Sequence, residues 1–411
     1  MFDRRTRIFA TLLFTLSLAA PAFAQFNLTI NVNCTRGESL AKAAALVLPN
    51  TILNVKGACA GPVSIATNGL QLNAVGVASI NGAGKNAVTI TGAQRVAITG
   101  FTITGGMNGV LAQNGAQVTL VNDTVNGNAL SGIVAQTHAS ITANGGASQS
   151  NGFHGIDVES TSALVVTGSY NISGNGVFGI NVNNGSSLTL TAATLTVSYN
   201  TLGIQMGTNA SGFMDGQSSL NSSRNLSDGI TLVSGSHMVD FGGSINTETN
   251  GIHGISLNSK AGLDLDAGSQ VHTAGNGSDG VHMEQASVMT IFNNPQFSQV
   301  STATNLSSFG NFGDGVRLLT GSRILVDNFA ALDSISNFRA GVALDDGSSL
   351  SFGQTIPVSS GVQSAVQVNM GGGVSLTFGS HLTYIGNDTL NSVTCDASSL
   401  VRGPGNFTCP R

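Results

Sequence analysis

The sequence predicts an all-β solenoid, a single chain wound into stacked parallel β-helix coils. Three observations carry that expectation. A short phrase recurs: Asn, three residues, Gly, then Ile or Val, any residue, and usually an aliphatic one. It stands as Asn151, Gly155, Ile156, Val158, as Asn175, Gly179, Ile180, Val182, and as Asn250, Gly254, Ile255, Leu257. Its glycines are Gly109, Gly132, Gly155, Gly179, Gly203, Gly229, Gly254, Gly280, Gly315 and Gly341, spaced 23 to 26 residues apart with one interval of 35. The residues after each glycine alternate: Ile156 and Val158 fall on one side, Asp157 and Glu159 on the other. A fixed period of about 20–50 residues marks units that bury their apolar side only by stacking on neighbours. Period-two alternation marks strands with one buried face.

A second alternating run follows in most coils: Val118–Leu120, Leu188–Leu190, Leu263–Leu265, Ile324–Val326 and Leu350–Phe352. Small polar turns such as Asn184-Gly185-Ser186-Ser187 separate the two runs, and shorter segments such as Leu195–Val197 complete some coils, giving two or three strands per turn. The small-residue slot recurs at Ala87 before the series and at Ala365 after it. Leucine-rich repeats would need regular Leu and helical returns, propeller blades run to about 40–50 residues, and collagen needs glycine at every third position. About 13 coils, stacked at roughly 4.8 Å, make a rod on the order of 60 Å long.

The repeat asparagine stands four residues before the glycine in most coils; the Gly203 coil is a residue short, with Asn200 at offset three, and the first has Gly105. Asn tolerates left-handed backbone and bonds locally to main chain, which suits a tight turn. Stacked in register, the amides could bond from coil to coil.

This phrase resembles the right-handed parallel β-helix repeat of the pectin-lyase-like superfamily, including the repeats shared by carbohydrate-binding proteins and sugar hydrolases. The resemblance covers roughly residues 50–380. It implies a right-handed single-stranded β-helix, and it implies no single activity, because the fold hosts lyases, hydrolases, epimerases, tailspikes and adhesins.

Taken in order, residues 1–24 read as a bacterial-type export signal: Arg4, Arg5 and Arg7, an apolar run from Ile8 to Leu18, then Ala22-Phe23-Ala24 before Gln25. A secreted or periplasmic location follows, with no membrane span in the mature chain. Removing the signal leaves 12 basic and 19 acidic residues, a net charge of −7. That balance argues against nucleic acid, which needs a basic face, and against a polyanionic uronate unless basic residues cluster locally. Only 9% of residues are charged, yet the regular aliphatic spacing supplies a core and sets the chain apart from disordered sequences.

Residues 25–61 are expected to form an N-terminal cap. Thr35 to Glu38 matches a capping box, and Leu40, Ala44 and Val47 share one helical face before Pro49. Such a short helix would cover the open end of the coil stack, whose strand edges otherwise invite association. The β-helix is expected over 62–385, and a C-terminal cap over 386–411. Four cysteines sit in two end pairs, Cys34 with Cys59 and Cys395 with Cys409. An even count in an exported chain reads as disulfides. Three pairings are possible, and the local one is expected because the ends lie a rod's length apart. The interval between Gly280 and Gly315 leaves room for a loop over 293–312, including Asn293-Asn294-Pro295 and the Phe309–Phe312 segment.

Outward residues of successive coils should stack into ladders. The second position after each glycine reads Leu111, Val134, Asp157, Asn181, Gln205, Thr231, Ser256, His282, Arg317, Ala343. Combined with the fourth position, which holds Glu159, Glu284 and Asp345, and with the residues just before each glycine, this gathers His253, Asp279, His282, Glu284, Asp314 and Arg317 on three successive coils beside the long interval. Asp279, His282, Glu284, Asp314 and Arg317 are the candidate catalytic residues: neighbouring carboxylates split in pKa, as acid–base work requires, and Arg317 could polarise a sugar carboxylate or hydroxyl. A smaller group joins His154, Asp157 and Glu159. Polygalacturonase-like hydrolases carry Asn-Thr-Asp, Asp-Asp, Gly-His-Gly and Arg-x-Lys in a set order. The chain has only Asn246-Thr247-Glu248, Asp345-Asp346 and Ile252-His253-Gly254, scattered and out of that order. The Asp-Pro-His-Asp signature of alginate epimerase-like proteins is missing, and there is no Trp and only three Tyr to stack on sugar faces. The expectation is an exported, non-catalytic surface, adhesion or matrix rod with weak polysaccharide contact, without cofactor or metal. A polysaccharide lyase or glycoside hydrolase acting beside the 293–312 loop is the alternative.

Overall fold

The computed structural model describes residues 28–293, 303–326, 330–352, 367–370, 374–377, 381–383, 389–390 and 393–402. Residues 1–24, expected as an export signal, together with most of the long interval's extra residues, Ala365 and Cys409, lie outside them. Among the described residues every strand pairing is parallel, and one sheet comprises 14 strands, one from each coil, close to the expected coil number. Ile133, Ile156, Ile180, Ile204, Ile230, Ile255, Val281 and Val316 are directly paired from coil to coil. All are buried, and they belong to one apolar core running from Val32 to Leu382. Each contributes about 1.5–3 kcal/mol relative to exposure, so the sum over the column, rather than any single coil, holds the rod together. The chain is a parallel β-helix.

Coil length decides how each coil closes. In coils of 23 or 24 residues the return side is one long strand, such as Ala163–Ser173, bent at a bulge between Val166 and Gly168. At Gly168 a left-handed φ of 64° makes the bend. From the Gly203 coil onward, 25 or more residues are available, and the long strand Ser187–Ser198 pairs with two separate ones, Ser211–Met214 and Ser219–Ser223. The added residues form a turn, and the coil becomes three-sided.

The asparagines form the ladder their spacing suggested. From Asn128 through Asn151, Asn175, Asn200, Asn225, Asn250, Asn276 and Asn311 to Asn337, each Nδ2 donates to the next Oδ1 at 2.9–3.2 Å. Each main-chain N–H donates to the same oxygen. Asn200 keeps its rung despite the missing residue. The left-handed turn lies elsewhere than expected: it falls on the residue before each asparagine, including Ser150, Tyr199, Arg224 and Thr249, with φ between 51° and 58°. The amide is thereby free to face the core and serve the ladder. The glycine follows from the same packing. A Cβ on Gly155 would sit 2.6 Å from the Gly179 carbonyl oxygen and 2.7 Å from Asn175 Nδ2.

At the N-terminal end, the helix Leu40–Leu46 buries Leu40 and Ala44 against the first coil. Its cap differs from the expected Thr35 box. Asn33 Oδ1 accepts from Thr35 N–H and Glu38 accepts from Asn33 N–H, closing a 3-10 turn over Cys34–Arg36 that ends at Gly37. Ser39 then caps the helix. Two caps are needed because the left-handed Gly37 breaks the run. Cys34 is bonded to Cys59 with Cα atoms 5.2 Å apart, and Cys395 is also disulfide-bonded. At the other end Val374, rather than the residue after Ala365, pairs with Val342. Val393–Cys395 and Leu400–Arg402 still pair as strands, carrying the stack into the stretch expected as a C-terminal cap. Among the described residues no helix is long and apolar enough to cross a membrane.

Candidate functional site

The 14-stranded sheet presents the outward ladder in the anticipated order. Asp157 pairs with Asn181, Ser256 with His282, and His282 with Arg317. Beside it runs the corner holding the residue that precedes each glycine. There the side chains perform a task that spacing alone did not reveal. His154 Nδ1 accepts the Phe178 N–H at 3.3 Å, Asp228 Oδ1 that of His253 at 2.9 Å, and His253 Nδ1 that of Asp279 at 3.2 Å. Asp279 Oδ1 accepts from Asp314 at 2.8 Å, and Asp314 Oδ1 from Ala340 at 2.9 Å. Each side chain thus satisfies a main-chain donor of the next coil that would otherwise be stranded. His and Asp at this position are explained by that need. The signal was present as a column of acceptor side chains one residue before the glycine.

The larger cluster is brought together. His282 Nδ1 lies 2.8 Å from Asp279 Oδ2, and His253 Nδ1 lies 3.7 Å from the same oxygen. The two imidazoles stack with centroids 4.3 Å apart. Glu284 Oε2 is 4.0 Å from His282 Nε2, and its other oxygen is held by Asn258. Arg317 donates to Asp314 Oδ2 at 3.2 Å. Burial, joined by the neighbouring His282, holds His253 below its ordinary pKa. Burial works to raise Asp279, but the His282 hydrogen bond, the Asp314 N–H and the two imidazoles outweigh it and bring it below the usual value. Burial and the Asp279 charge push Asp314 up, against the Ala340 N–H and Arg317. The two carboxylates therefore part in pKa, as their adjacency suggested.

The smaller group behaves differently. His154 lies between aromatic rings, 4.0 Å from Phe153 and stacked on Phe178 at 4.8 Å, and burial lowers its pKa to about 4. Asp157 instead accepts from Asn181 at 2.8 Å, with its pKa raised to about 6, chiefly by burial.

The long interval leaves its coil between the strands Val288–Ile291 and Thr304–Phe309. The end of the expected 293–312 loop, at Phe312 and Gly313, bonds to Asn276 and Ser278 in the corner that precedes Asp314. Residues 294–302 themselves lie outside the described residues. Shallow grooves of about 360 Å³ and 300 Å³ lie elsewhere, one over Gln117, Thr119, Ser140 and Thr142, the other over Ala44, Ser64 and Thr89. An exposed apolar row, which the glycine spacing does not mark, runs along the asparagine corner. Met107, Leu130, Phe153 and Val177 are joined in succession by main-chain bonds, and the first three are exposed.

Neither a protein-family model nor a curated protein sequence matches the chain. Solved structures similar to it include a double mutant of the periplasmic alginate epimerase AlgG, 12% identical over 91% of this chain and 82% of that one, TM-score 0.40. A chain of the Vag8–C1 inhibitor complex is 17% identical over 92% of this chain and all of its own length, also at TM-score 0.40. Pectate lyase Pel9A is 12% identical over 94% and 82%, at TM-score 0.23.

Proposed function

We propose that the protein is an exported β-helix rod, a surface, adhesion or matrix component that contacts glycan chains along its ladder face without cleaving them. The observation that supports this reading is the use to which the ionisable groups are put. His253, Asp279 and Asp314 each spend one acceptor atom on the main chain of the next coil. What remains is spent on Asp279–His282 and Asp314–Arg317 contacts. A general acid or base must reach a substrate proton, and these groups are turned to one another. The same face carries amide chains suited to hydroxyl groups, with Gln136 donating to Gln113 at 3.1 Å and Gln113 to Thr91 at 3.2 Å.

A polysaccharide lyase or hydrolase is the second reading, favoured by one contact. Asp279 at His282 Nδ1 leaves Nε2 turned toward Glu284, an arrangement that can orient a base. The test is incubation of the purified mature chain with neutral and uronic polysaccharides. Glycan retention should be measurable without new reducing ends or unsaturated products. Turnover that disappears in Glu284→Gln and Arg317→Ala would replace the rod reading with the enzymatic one.

A further inference from the structure

The geometry points to a divalent transition-metal site between two coils, built from His253, Asp279 and His282. Each of these side chains offers one ligand atom, and the three atoms lie within 4.8 Å of one another. Asp279 Oδ2 is 2.8 Å from His282 Nδ1 and 3.7 Å from His253 Nδ1. A tetrahedral ion with bonds of about 2.0–2.1 Å needs ligand atoms roughly 3.3 Å apart; the two separations from Asp279 Oδ2 straddle that value, and the imidazoles close on the ion by a small rotation. The ion would take the place of the proton shared by Asp279 and His282, and of the long main-chain contact at His253 Nδ1.

The surroundings match the chemistry of such a site. Two imidazole nitrogens and one carboxylate oxygen favour zinc-like ions over calcium or magnesium, which take all-oxygen shells. A ligating histidine usually turns its other ring nitrogen to a carboxylate that fixes its orientation. Glu284 stands on that side of His282, and Asn258 holds Glu284 in turn. Asp279 is itself fixed through the Asp314 N–H, which leaves little freedom to lose on binding. His282 is partly exposed, giving the ion a route from solvent. The ligands come from consecutive coils, one at His253 and two at Asp279 and His282, so the ion would tie those coils together.

The test uses the purified, disulfide-oxidised mature chain, stripped with chelator and titrated with Zn²⁺ by calorimetry, with Co²⁺ absorption as a second readout. One Zn²⁺ per chain is expected, with affinity lowered at least tenfold in His282→Ala and unchanged when the exposed His237 and His272, which face Asp264 and Glu248 outside this cluster, are both replaced by alanine. Co²⁺ should give visible bands that His282→Ala abolishes. Because His282 supports no main-chain donor of its own, its removal leaves the coil contacts standing, and a circular dichroism melt verifies that. Absence of stoichiometric Zn²⁺ binding, equal binding by folded His282→Ala, or equal affinity for Ca²⁺ would overturn the assignment.

Discussion

Asp279 uses both carboxylate oxygens, Oδ1 on the Asp314 N–H at 2.8 Å and Oδ2 on His282 Nδ1, also at 2.8 Å. Removing the carboxylate strands a buried main-chain donor, at a cost of about 1–3 kcal/mol. Asp279→Ala should lower the urea midpoint by that order. Asp279→Asn, which keeps an oxygen for Asp314, should lose less. Equal losses would show that the main-chain contact contributes little.

The middle of the amide ladder should be its most sensitive part. Asn225 Oδ1 accepts both the N–H and the Nδ2 of Asn200, whereas Asn128 at the ladder's start accepts the Gly106 N–H. Asn225→Ala strands two buried donors and Asn128→Ala one, at about 1–3 kcal/mol each. Thermal melts should rank Asn225→Ala as the less stable variant.

Gly229→Ala tests why the repeat needs glycine. The added Cβ would lie 2.7 Å from both Asn250 Nδ2 and the Gly254 carbonyl oxygen. Overpacking of this kind costs about 1–3 kcal/mol. At Gly216, where the nearest atom is 3.3 Å away, alanine should be tolerated better. A reversed order in denaturant midpoints would count against close approach as the cause.

His154 gives the rod an acid-sensitive component. Burial lowers its folded pKa from 6.5 to about 4, so only the unfolded chain takes up the proton between those values. Its contribution is complete above pH 6.5 and is lost as pH falls toward 4, by at most roughly 3 kcal/mol. Asp123 and Asp240 act in the opposite sense: burial raises both to about 7, so stability declines as pH rises from 3.8 to 7. The measurement is therefore the stability difference between the native chain and His154→Asn, which keeps an acceptor for Phe178. That difference should shrink from pH 8 to pH 4; a constant difference would refute the assignment.

The column of aliphatic residues and the order of the outward ladder were legible because both follow from period and alternation alone. Ser256, His282 and Arg317 stand in the register their spacing implied. The corner was harder. An aspartate or histidine before a glycine looks the same whether it faces solvent or the next coil's main chain, and only the turn geometry at residues such as Thr249 decides between them. Glycine-to-glycine spacing likewise counts the residues of the long interval without saying that they leave between Val288–Ile291 and Thr304–Phe309. Ala365 was misassigned as a slot because Val374, nine residues later, completes that coil's pairing.

Every rung from Asn128 to Asn337 meets the next through the same pair of bonds, including the rung that spans the longest interval, Asn276 to Asn311, at 2.9 Å. The ladder is therefore indifferent to how much chain separates two rungs, provided each asparagine returns to its place. Whole coils can be duplicated or lost with the joining surface unchanged, and extra residues are accommodated between two rungs. Such a rod can change its reach, or carry a new outgrowth, while its spine is inherited intact.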